Sequence, residues 1–381
     1  MFTPITQLWR QNSKAKILFF ALCFSLLSLY PIYKNFYNGA AVTTYERHIA
    51  LIEGRAEYYN PWQYRMLCPV LIEGFMWLYN HTIDVIYPIE EKINLSFTQT
   101  SVPTPETEQF FTLLKTKGAL KYMIVFIAFR FLLNFLVFTL AFYVWHYFVK
   151  NKYLLLMGLV LLSLGMGNAV IASDLTFNTY LDNVFYLLAA IIILYKKNPL
   201  WLIPVTVLAA FNRETALLIP VLYFLSNLQL QNVSDKEFLR PLKILPEKKV
   251  WLLSVTLMVL FAVIFISLRM YYGFVPAKVW KVPAGPEMVK LNLLSTVAAK
   301  SYFEMLGIFS IIPLLILYRF KQFPRLLQFW FLGIVPIWFA VHIYSVVIYQ
   351  TRLFLVPVIL IFLPMFLWLI ENNYRRKESE D

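Results

Sequence analysis

Charge is scarce in this sequence. Only 14% of its 381 residues are charged, against about a quarter in an ordinary soluble domain. The deficit excludes a water-soluble globule, since 60% of the chain is hydrophobic, 18% is aromatic and the mean hydropathy is +0.64. Cysteine is almost absent. Cys23 lies inside the first apolar run and Cys68 well outside it, so the pair supports neither a disulfide framework nor a metal site. There is no Walker-type phosphate loop and no Cys or His cluster with zinc spacing, which weighs against a nucleotide-driven or zinc-dependent mechanism. No internal repeat and no low-complexity tract is found. The first apolar run, 17–33, is not followed by a small-residue cleavage site, so it reads as a retained anchor rather than a removable signal peptide.

What the chain does have is apolar windows. Crossing a hydrocarbon core of about 30 Å takes roughly 20 apolar residues. Windows at about 17–37, 119–149, 153–172, 183–195, 199–212, 216–226, 250–272, 302–318, 326–349 and 353–371 predict an all-α, multi-pass membrane protein. The expected count is about ten transmembrane helices in a single domain, 1–381. Three of them (183–195, 199–212 and 216–226) are short for a crossing and are expected to tilt, to share a broken helix or to extend into their flanks.

The net charge of +13 raises nucleic acid as a partner, but Lys and Arg fall in short clusters between apolar windows, as the positive-inside rule requires. Nucleic acid is therefore not expected, and the lipid bilayer is. With the basic N-terminus cytoplasmic, alternation also places 150–152, 196–198, 227–249, 319–325 and the C-terminus inside a cell (inner) membrane. The opposite, extracytoplasmic face then carries 38–118, SDLTFNTYLD (173–182), the region of FNRET (211–215), 273–301 and YQTR (349–352). Within 38–118, the stretch MLCPVLIEGFMWLYNHTIDVIYP reads as an interfacial helix. The Thr-, Glu- and Pro-rich remainder, to about residue 118, reads as a mobile surface loop.

Charged groups inside apolar segments cost about 2.5–3.5 kcal/mol each on insertion scales, so they pair or line a wet cavity. Glu46, Arg65, Asp174, Asp182, Arg213, Glu214 and Arg352 all fall at or near the outer face, as do Glu304 and His342. A carboxylate in a partly dehydrated cleft can take a proton from an attacking hydroxyl. Glu46, Glu53 and Glu57, seven and four residues apart, would share one helical face, either as such a base or as the solvated side of a surface helix. Asp174 and Asp182 would cap the following helix or offer oxygen ligands to a divalent cation; the spacing matches no established metal motif and no cofactor is required. The guanidinium groups of Arg65, Arg213 and Arg352 suit a phosphate, with snorkelling to the headgroups as the alternative. Arg213 and Glu214, adjacent on the chain, point about 100° apart on a helix and so need other partners, Glu214 being placed to fix another arginine or a neighbouring helix. Arg130, with Asn134 one turn on, reads as a structural tie between helices.

Together, Glu46 soon after the first span, the YRMLCP element (64–69), the acidic turn SDLTFNTYLD, the NRET element and the late TRLFLVPVILIFLP resemble polytopic bacterial glycosyltransferases of the GT-C superfamily. The resemblance covers the order of elements along nearly the whole chain. It implies a GT-C-like fold and transfer of a sugar from a polyprenyl-phosphate donor to a glycan or lipid acceptor hydroxyl at the extracytoplasmic face. Glu46, or else Asp174, would be the base; Arg213 and Arg352, with Arg65, would hold the departing phosphate. The chain departs from the family pattern in carrying Glu where Asp is more usual and in having no adjacent acidic pair. Two other readings use the same arginines: a transporter or flippase of a lipid-linked glycan, and a polysaccharide polymerase or ligase.

Overall fold

The computed structural model describes residues 13–37, 40–55, 62–92, 105–171, 176–228, 246–274, 283 and 285–380. Among them there is no strand. The principal helices are α1 (Ser13–Tyr37), α2 (Ala40–Ile52), α3 (Leu67–His81), α4 (Ala119–Phe148), α5 (Lys152–Ile171), α6 (Thr176–Leu194), α7 (Leu202–Ala210), α8 (Leu218–Ser226), α9 (Lys248–Tyr272), α10 (Pro286–Leu294), α11 (Thr296–Phe309), α12 (Ile312–Tyr318), α13 (Arg325–Ser345) and α14 (Thr351–Asn373). The last begins with a 3₁₀ turn and contains a π turn.

Seven helices (α1, α4, α5, α6, α9, α13 and α14) are long and apolar enough to cross a membrane, and the α11–α12 pair, bent by 66°, makes eight if it is one span. The two remaining windows are too short. Each of α7 and α8 has nine helical residues, a rise of about 14 Å, or half the hydrocarbon thickness. They form a hairpin packed against α6, α9 and, through α8, α13. A hairpin returns the chain to the side it left, so the order of sides along the sequence is the same as for two full crossings.

The centre is α4, packed against α1, α3, α5 and α6. Its buried face repeats at helical spacing through Phe126, Phe129, Leu133, Val137, Ala141 and Val144. In lipid such a face is held by close packing and interhelical hydrogen bonds rather than by water exclusion. Asn134 contributes one, donating to the Ser28 carbonyl of α1 at 3.0 Å, and the Arg130 guanidinium lies 4.3 Å from the Phe177 ring centroid of α6. At one end of the bundle Glu371 accepts hydrogen bonds from the backbone N–H of Lys150 and of Asn151, both at 3.0 Å, closing the α4–α5 link.

Besides the two short helices, which reduce the expected ten spans to seven or eight, two further segments differ from the sequence expectation. Helix α6 starts at Thr176 rather than near 183, because Phe177, Tyr180, Leu181 and Val184 supply an inward apolar face. Asp182 therefore sits inside a helix instead of on a turn. Residues Pro105–Leu114 form a helix where composition reads as loop; Phe110, Leu113 and Leu114, three and four apart, pack on the core.

The π turn Val358–Phe362 has a local cause. In that register the Ile359 carbonyl faces the nitrogen of Pro364, which carries no proton, and the indole N–H of Trp145 donates to it instead at 2.7 Å. Trp145 is fully buried. Trp145→Phe keeps most of the packing and strands the carbonyl, so unfolding of the purified protein in detergent should show a loss of about 1–3 kcal/mol. An unchanged unfolding midpoint would contradict this account.

Candidate functional site

The site lies at the end of the bundle opposite Glu371, where α7 breaks. After Ala210 the chain leaves the helix, and Arg213 is extended (φ −156°, ψ 153°) before a 3₁₀ turn, Glu214–Leu217, leads into α8. Asn212 replaces the lost ladder. Its side-chain amide donates to the Asn178 carbonyl at 2.8 Å, its oxygen accepts from the Asn178 amide at 3.3 Å, and the Cys68 thiol donates to the same oxygen at 3.6 Å. The Leu67 N–H donates to the Phe211 carbonyl at 3.2 Å, which fixes the start of α3 against the break.

Within this frame Arg213 and Glu214 face different partners. Arg213 turns to α6, with Nη1 3.6 Å from Asp182 Oδ2 and donating to Thr179 Oγ1 at 3.4 Å. The Thr215 hydroxyl donates to Asp182 Oδ2 at 2.7 Å, and the Tyr186 hydroxyl donates to the Thr215 carbonyl. Glu214 turns to the Trp62–Tyr64 segment, accepting from Arg65 Nη2 at 2.8 Å and lying 3.6 Å from Arg269 Nη2. Arg65 is positioned from a third side. Gln63 and Tyr64 both donate to the carbonyl of Gly273, whose φ of +67° ends α9 in the left-handed region. Asp182 is fully buried, and Arg213 is 3% and Arg65 9% exposed. Two carboxylates thus face three guanidinium groups. Arg352, also buried, donates to Gln350 at 2.8 Å, and His342 lies within electrostatic reach of Arg213, Arg352 and Arg65.

A cavity opens beside this network between α2, the 62–65 turn, the start of α3 and the start of α6. Among the described residues its wall includes Thr44, Arg47, His48, Trp62, Arg65 and Asn178, and no carboxylate. His48 Nε2 lies 2.8 Å from Glu73 Oε1, which also accepts from the Tyr122 hydroxyl at 2.9 Å. Burial, which disfavours the imidazolium, holds His48 below its ordinary value of 6.5 and outweighs the upward pull of Glu73.

The residues singled out by sequence are not all brought together. Arg65, Asp182, Arg213 and Glu214 form one network, and Arg352 lies, as Arg213 and Arg65 do, within electrostatic reach of His342. Glu46 is exposed and lies on the face of α2 opposite Thr44, Arg47, His48 and Leu51, about 200° from His48 around the helix. It does not share a helical face with Glu53 either. Helix α2 ends at Ile52, Glu53 pairs with Arg55 in the following turn beside the left-handed Gly54, and Glu57 is outside the described residues. Asp174 is also outside them. Glu304 accepts from Asn168 at 3.2 Å, and Asn168 also donates to Thr351. Among the described residues no three His, Cys, Asp or Glu side chains come together as a metal site.

Sequence reasoning missed Arg269, His48 and the Asn212–Asn178 pair. Arg269, a guanidinium near the end of an apolar window, carries the same signal that marked the other arginines. His48 gives no such signal, because its importance comes from a carboxylate 25 residues away on another helix.

Breaking a buried ion pair leaves one charge stranded, at a cost of about 3–5 kcal/mol. Asp182→Ala and Arg213→Ala should each destabilise strongly, and the double variant should lose clearly less than the two singles combined; a purely additive double-mutant cycle would contradict the pairing. His48 sets a pH dependence of known sign. Because the folded state prefers the neutral ring, this contribution is complete above about pH 6.5 and is lost as pH falls below it. The thermal midpoint should fall below that pH, and less so in His48→Gln; equal acid sensitivity in both would refute the assignment.

No family model, no curated protein and no solved structure matches the chain, so a functional reading rests on the site itself.

Proposed function

We propose that the chain is an integral-membrane glycosyltransferase that moves a sugar from a polyprenyl-phosphate donor to an acceptor hydroxyl at the extracytoplasmic face. The observation that carries this reading is the excess of guanidinium over carboxylate, among the described residues, in the network beside the cavity: buried Arg65 and Arg213 and half-buried Arg269 against Asp182 and Glu214, with Arg65 reaching the cavity wall. Guanidinium groups fixed in advance by carboxylates keep their orientation when a phosphate arrives, and they stabilise charge that develops on a departing phosphate without further reorganisation. A cavity within a bundle of apolar helices also suits a donor whose lipid tail stays in the bilayer. A fully conserved charge balance would leave no such capacity for an anion.

The direct test uses the purified full-length protein in lipid nanodiscs with radiolabelled polyprenyl-phosphate hexoses, scoring release of polyprenyl phosphate and sugar transfer to acceptor lipids. The wild type should turn over. Arg65→Gln should weaken polyprenyl phosphate binding by roughly 10- to 100-fold, the worth of one charge-assisted contact. Arg65→Lys should recover part of it. Passage of the lipid-linked sugar across the bilayer without cleavage would instead favour a flippase, and equal binding by wild type and Arg65→Gln would remove the phosphate role.

A further inference from the structure

Among the described residues the cavity wall carries Arg47 and Arg65 and no carboxylate, and the proton acceptor it offers to a transfer reaction is of another residue type. Among the described lining side chains, the His48 imidazole is the one suited to this near neutral pH. We propose that His48 is the general base that accepts the proton of the acceptor hydroxyl, with Glu73 and Tyr122 as the residues that position it; the proposal rests on the transferase reading.

The geometry has three parts. First, the His48 ring packs against the neighbouring Tyr122 and Phe126 rings of α4, at centroid distances of 5.4 and 5.5 Å, which restrains its orientation. Second, Glu73 of α3 accepts from both Nε2 of His48 and the Tyr122 hydroxyl. A carboxylate that accepts from Nε2–H fixes the tautomer and leaves the Nδ1 lone pair as the basic site. Nδ1 has no hydrogen bond among the described residues. Third, His48 and Arg65 line the same cavity, whose wall also includes Asn178. Base and phosphate site are therefore within one enclosure.

The step balances without a metal or a redox partner. The acceptor O–H gives its proton to His48 Nδ1 while its oxygen forms the new bond to the anomeric carbon of the sugar. The bond from that carbon to the phosphate oxygen breaks, and its electron pair leaves on the polyprenyl phosphate, where the Arg65 guanidinium meets the added charge. The imidazolium that results is stabilised by Glu73, and loss of its proton to solvent resets the site. Of the titratable and charged groups, Glu73 from α3 and Tyr122 from α4 contact His48; Arg47 from its own helix, Arg65 from the 62–65 turn and Cys68 from α3 line the same cavity, and Tyr45 packs on Tyr122.

The test is the pH profile of sugar transfer by full-length protein in nanodiscs. Wild-type kcat should fall on the acid side as the base protonates. His48→Gln should lose about 10²- to 10⁴-fold in kcat, the usual worth of a general base, with polyprenyl phosphate affinity within about threefold of wild type. Glu73→Gln keeps a hydrogen-bond acceptor but removes the charge, so the acid limb should move to lower pH, a shift that a merely structural contact would not cause. An active His48→Gln with the wild-type limb would overturn the assignment and leave the transferase reading intact. If His48→Gln fails to fold, an unmoved limb in Glu73→Gln overturns it. A wild type that transfers no sugar from any polyprenyl-phosphate donor would defeat the underlying reading instead.

Discussion

The ion pair between Arg213 and Asp182 is the constraint around which this end of the molecule is arranged. Both groups are withdrawn from solvent among apolar helices, where an isolated charge costs several kcal/mol, so neither position is tolerable without the other. The pairing requires Arg213 to leave helical geometry, which breaks the α7–α8 hairpin at Asn212. The break turns Glu214 away from Arg213 and toward Arg65. Arg65 in turn is delivered by a segment anchored on Gly273, so α3, α6, α8 and α9 meet at one polar point.

On the proposed transferase reading, that arrangement separates two jobs. Glu214 and Asp182 pair with the arginines, and the surplus positive charge among the described residues is the proposed site for an anion. The cavity beside them presents Arg65 on one side and His48 on another, with Glu73 behind the histidine rather than in the cavity itself. A carboxylate in direct contact with a phosphate donor would oppose its binding. An imidazole oriented by a carboxylate from outside the cavity avoids that repulsion and still offers a base.

Apolar length and charge cost made much of the architecture legible in advance. The seven long helices and the bent α11–α12 pair lie in windows read from hydropathy, and the four polar residues Arg65, Asp182, Arg213 and Glu214 stand out because each is expensive where it sits. What was not legible depends on three-dimensional partners. Asp182 looked like a turn residue because its neighbours are polar, yet the inward face of Phe177, Tyr180 and Leu181 makes that stretch helical. Glu46 stood out as an acidic residue after the first span, but a two-residue offset on a helix faces it away from the cavity that His48 lines. Windows 199–212 and 216–226 were read as spans by composition, and only the Arg213 pairing shows why the chain turns back between them.

The most direct measurement of the central claim is a cryo-electron microscopy structure of the full-length protein in nanodiscs with bound polyprenyl phosphate. The account predicts phosphate density within hydrogen-bonding distance of Arg65, at the mouth of the cavity lined by His48 and Asn178, with Arg213 still paired to Asp182. Phosphate density at the opposite end of the bundle, near Glu371, or on the lipid-facing surface with the cavity closed, would contradict it.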